Sequence, residues 1–101
     1  MRRVLFPLCM LLSCGEPFEA SMAKVCNAPS FSGADKVAPE DKARTMGQWL
    51  LKNVKNDEVK ALVKDMARLS PADRAKLVRE GATRAGIEPC PCADYWAAEA
   101  L

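Results

Sequence analysis

Between residues 39 and 85 apolar side chains recur every three or four positions, the period of helices that bury one face. In the first stretch the stripe is Ala43, Met46, Trp49, Leu50 and Val54. Pro39 suits a first helical position, Glu40 and Asp41 suit the positive end of the helix dipole, and Lys52 and Lys55 suit the other end. The second stretch, "NDEVKALVKDMARL", offers Asn56 as an N-cap, Asp57 and Glu58 for the first turn, and an inner stripe of Val59, Leu62, Val63, Met66 and Ala67. The third, "SPADRAKLVREGATRAG", has Ser70 to cap, Pro71 to follow it, and Asp73 where a capping-box acid sits. Its inner face reads Ala75, Leu77, Val78, Ala82 and Ala85, and Gly86 then Ile87 suit a left-handed stop with its hydrophobic contact.

The links between these stretches are a few residues long, which makes consecutive helices antiparallel neighbours. The pattern therefore predicts an all-α domain, a small three-helix up-down-up bundle. Pro89 and Pro91 predict an extended strap after it, and Asp94–Leu101 a short tail helix with Tyr95 and Trp96 covering the core. Before the bundle, residues 15–38 are rich in small residues and turn formers. The first part reads as a tether. From Val25 onward the reading is an irregular strap docked by Cys26, Phe31 and Val37.

The extreme N-terminus adds a location. Arg2 and Arg3 precede an uncharged apolar run from Val4 to Leu12. That run is too short to span a bilayer, which takes about 20 residues, and it fits the apolar region of a secretory signal. Leu11-Leu12-Ser13-Cys14 resembles a bacterial lipobox. The resemblance implies diacylglycerol on the Cys14 sulfur, cleavage just before it, and acylation of the new amine, with palmitate as a label for the modification. Gly15 in place of Asp implies sorting to the outer membrane of a diderm cell. The domain reading is then 1–13 signal peptide, 14–24 lipidated tether and 25–101 a single helical domain. Two alternatives stay open: an ordinary signal cut after Ser21-Met22-Ala23, and translation from Met22.

Once Arg2 and Arg3 leave with the signal, 13 basic side chains face 13 acidic ones. A neutral chain gives no ground for nucleic-acid binding, which calls for a net basic surface. There is no histidine, so the commonest general base and metal ligand are missing. Ser13 and Ser70 have structural roles and no base beside them. No enzymatic constellation and no cofactor site is expected. Lys60, Lys64 and Arg68 read as a solvated face balanced by Asp57, Glu58 and Asp65. The segment "LSPADRAKLVRE" is weakly similar to the helix start of periplasmic stress chaperones of the Spy and CpxP type, with one copy where they carry two.

Three cysteines remain in the mature chain: Cys26, Cys90 and Cys92. In an oxidising envelope a disulfide is the default, and Cys26 with either of the other two would tie the ends of the domain together. The alternative joins all three as a soft-metal site for copper, or uses Cys90-Pro91-Cys92 for thiol redox chemistry. The functional expectation is a lipid-anchored, disulfide-stapled envelope protein that binds an envelope partner without catalysis. The alternative function is a copper or thiol-redox factor.

Overall fold

Asn56 and Ser70 act as their positions ask. The Asn56 side chain accepts from the Val59 N–H at 3.1 Å and the Ser70 hydroxyl from the Asp73 N–H at 3.3 Å. Each opens a helix by satisfying a backbone donor that has no partner within the helix. The computed structural model describes residues 15–101; the expected signal peptide and Cys14 lie outside them.

The described helices are α1 (Phe18–Cys26), α2 (Ala28–Phe31), α3 (Lys42–Asn53), α4 (Asp57–Met66), α5 (Pro71–Ala85) and α6 (Pro91–Glu99). Short 3-10 turns at Ala34–Lys36 and Pro39–Asp41 lead into α3. No strand occurs among the described residues, and the chain is all-α. No described helix is long and apolar enough to cross a membrane. Helix α5 ends as its sequence suggests: Gly86 turns left-handed at φ 73°, and the Ile87 N–H reaches back to the Ala82 carbonyl at 2.9 Å.

The largest departure from expectation is α1. Residues 18–24, read as tether, and residues 25 and 26, read as strap, form one helix that packs against every other described helix. Ser21, Met22, Val25 and Cys26 are fully buried. With Phe18 they step 3, 1, 3 and 1 along the chain, the spacing of an inward helical face. Helix α1 is therefore part of the core, and the most extensive helix pairing is that of α5 with α6. The expected irregular strap begins only after α1 and is itself mostly helical turns. At the other end Pro91 takes the first position of α6, so Cys92 lies inside a helix rather than in a strap.

Close approach accompanies this packing. A Cβ built on Gly81 of α5 would come within 2.9 Å of the Met22 methyl and 3.2 Å of a Leu62 methyl. Glycine at that position lets α5 meet α1 and α4.

Candidate functional site

Cys26 at the end of α1 and Cys90 just before α6 form a disulfide, with Cα atoms 4.6 Å apart and a separation of 64 positions in sequence. It joins the first and last described helices across the core, where both residues are buried. The sequence left open which of Cys90 and Cys92 takes the bridge. Helix α6 settles it by carrying Cys92 inward on its own first turn, away from the segment that Cys90 shares with Pro89.

Cys92 is a free thiol, 1% exposed. Burial pushes its pKa up to about 12, and the nearby Trp96 indole offsets only part of that. The Trp96 N–H points no normal hydrogen bond at any acceptor, the sulfur included. A thiol held this way stays protonated at neutral pH and is a poor nucleophile and metal ligand. The bridge also removes two of the three sulfurs that the copper reading needs. No cluster of three or more His, Cys, Asp or Glu suited to a metal occurs among the described residues.

Beside Cys92 lies an apolar pocket of about 250 Å³ between α3, α4 and α6. Met46 and Leu50 of α3, Val63 and Met66 of α4, and Trp96 of α6 form its walls. Arg74 reaches it from α5. Its Nε donates to the Met66 carbonyl at 2.6 Å and its Nη2 to the Ala67 carbonyl at 3.3 Å, closing the end of α4. The guanidinium also stacks 4.5 Å above the Trp96 ring, a cation–π contact that holds the indole in place. Ala43 and Ala67, which the periodicity puts on the inner faces of α3 and α4, are exposed and both line this pocket. Sequence reasoning could not see the pocket, because periodicity says which face turns inward and not whether that face is filled.

A second polar cluster fixes the start of the domain. Glu16 accepts from the Ser21 hydroxyl, from Lys24 Nζ at 2.8 Å and from the Lys55 N–H at 3.1 Å. Lys24 also donates to the Asn53 carbonyl at 2.8 Å, and Asn56 Nδ2 to the Glu16 carbonyl at 3.1 Å. Burial alone would raise the Glu16 pKa, but Lys24, Ser21 and the Lys55 N–H outweigh it and hold the carboxyl below its ordinary value. Residues 16–24 are thus pinned to the link between α3 and α4.

The basic stripe of α4 is laid out as expected of a solvated face. Lys60 sits 3.9 Å from Asp57 and Arg68 2.6 Å from Asp65. Arg84 of α5 grips Glu58 with both terminal nitrogens and stacks 4.1 Å from the Phe18 ring. Its hydrogen bonds, more than its charge, hold the Glu58 carboxyl below its ordinary pKa.

No protein-family model, curated protein or solved structure matches this chain. Fold and site together define its class: a small all-α domain stapled by one disulfide, with a buried thiol and an apolar pocket between its helices.

Proposed function

We propose that this chain is a bacterial lipoprotein of the cell envelope, anchored through acyl groups on Cys14, whose stapled helical domain binds an envelope partner without catalysis. The observation that carries the reading is the position of α1. Ser21 and Met22 are fully buried and Glu16 is tied to Lys55, so the described fold reaches back to within two residues of the lipobox cysteine. Cleavage before Cys14 spares every one of those contacts. Cleavage after Ala23, or a start at Met22, would remove Glu16 and Ser21 from the fold, and the first would take Met22 as well. The Cys26–Cys90 bridge supports the same compartment, since disulfides persist in oxidising surroundings. Two or more acyl chains give stable anchoring where one gives only reversible binding. Gly15 supports the outer membrane as the destination in a diderm cell.

Labelling with radioactive palmitate in a bacterial host tests the anchor. Label should enter the native chain and be absent from Cys14→Ser, which should also leave the membrane fraction. Label retained by Cys14→Ser would refute the reading.

A further inference from the structure

The pocket between α3, α4 and α6 is not accounted for by anchoring. Three observations mark it as a place for a ligand. First, Ala43 and Ala67 belong to the apolar stripes of their helices yet stand exposed at the pocket, so part of two inner faces has no partner among the described residues. Second, Gly47 lines the pocket in the middle of α3, and a Cβ there would meet nothing within 4 Å. Glycine inside a helix costs about 1 kcal/mol against alanine. No contact in the fold asks for it, and its effect is to leave the cavity open. Third, the lining contains two arginines, Arg44 and Arg74, and no acid. Arg44 is paired with Asp41 at 2.9 Å. Arg74 has no carboxylate partner among the described residues. Two of its five N–H donors go to the Met66 and Ala67 carbonyls at the end of α4, which leaves three without an acceptor among the described residues.

We propose that this pocket binds a medium-chain aliphatic carboxylate. The chain would lie along Met46, Leu50, Val63 and Met66, and the head would take the unused donors of Arg74. A volume of about 250 Å³ is roughly eight waters at ~30 Å³ each, which suits a chain of about eight to ten carbons. Burial of the chain supplies affinity and the charge-assisted hydrogen bonds orient the head.

The test is a titration of the full chain carrying Cys14→Ser with decanoate. It is followed by calorimetry and by the amide and indole N–H signals of the isotope-labelled protein. Saturable one-to-one binding is expected, with the Trp96 indole signal shifting and Trp49 nearly still. Decanol should bind about tenfold or more weakly, the worth of a hydrogen bond to a charged group. Gly47→Leu should fill the pocket and weaken decanoate about tenfold or more without lowering the melting temperature. Arg74→Gln should bring decanoate down to the affinity of decanol. Because that variant also loosens the end of α4, Gly47→Leu is the deciding one. The proposal is overturned by unsaturable binding, by decanol binding as tightly as decanoate, or by Gly47→Leu leaving affinity unchanged. An anionic lysophospholipid of equal chain length binding more tightly than decanoate would likewise overturn the assignment to a free carboxylate. None of these outcomes bears on palmitate labelling at Cys14, so the two readings fail separately.

Discussion

Gly81 and Gly47 each sit inside a helix, and they mark two unlike regions of one small domain. Around Gly81 the backbone of α5 lies so close to Met22 and Leu62 that a methyl would collide. Around Gly47 a methyl would meet open space. The first region is held by the bridge, by Met22 and Val25 of α1, and by the polar ties of Glu16. The second is held by the Arg74 guanidinium spanning two carbonyls and an indole. A domain this small has little stability to spare. At Gly81 neighbouring side chains meet the α5 backbone at contact distance, and at Gly47 room is left for a side chain or ligand.

Loss of the staple should have the largest effect. Cys26→Ser should destabilise the domain by about 4 kcal/mol, the chain-entropy value for a loop of this length, read by urea unfolding. Cys92→Ser, beside the pocket and outside the bridge, should cost less than half as much. Equal losses would mean that the bridge does not organise the packed region. Next, Gly81→Ala should lower stability by about 1–2 kcal/mol, as crowding outweighs the gain in helix propensity. Gly47→Ala should raise it by about 0.5–1 kcal/mol. Thermal unfolding of the two variants measures these opposite signs.

The smallest effect is a pH dependence. The folded pKa of Glu16 lies below its ordinary value of 4.5. Its contribution to stability is therefore complete above that value and is lost as the pH falls through the folded pKa. Glu58, held down by Arg84, acts in the same sense at the surface. Stability measured against pH should decline in acid, and Glu16→Gln should flatten part of that decline. An unchanged acid limb in the variant would remove Glu16 from the account.

Much of the fold was legible because its signals are local. Asn56, Ser70 and Gly86 each fix a helix end through bonds within a few residues, and Pro71 suits the first position of α5 through its preset φ. The stripes of α3, α4 and α5 follow from period alone. Helix α1 was missed although Phe18, Ser21, Met22, Val25 and Cys26 keep the same period. Its inward face includes a serine and a cysteine, and flanking small residues look like linker. Ser21 is buried because the Glu16 carboxylate and the Asn56 N–H satisfy its hydroxyl, and such long-range pairing leaves no mark in a local pattern. The same limit applies to the cysteines. That a bridge ties the ends follows from composition and compartment. That Cys90 takes it depends on Pro91 starting a helix that turns Cys92 inward. The pocket and the open guanidinium of Arg74 are tertiary facts altogether.

The proposed acylation at Cys14 and the Cys26–Cys90 bridge can be read in one experiment. The most direct measurement is peptide mass mapping of the chain taken from bacterial membranes, alkylated without reduction under denaturing conditions. An N-terminal peptide beginning at acylated Cys14, a Cys26 peptide linked to one containing Cys90, and alkylation at Cys92 alone are expected. An N-terminus at Lys24, a Cys90–Cys92 or Cys26–Cys92 link, or alkylation of all three cysteines would contradict this expectation.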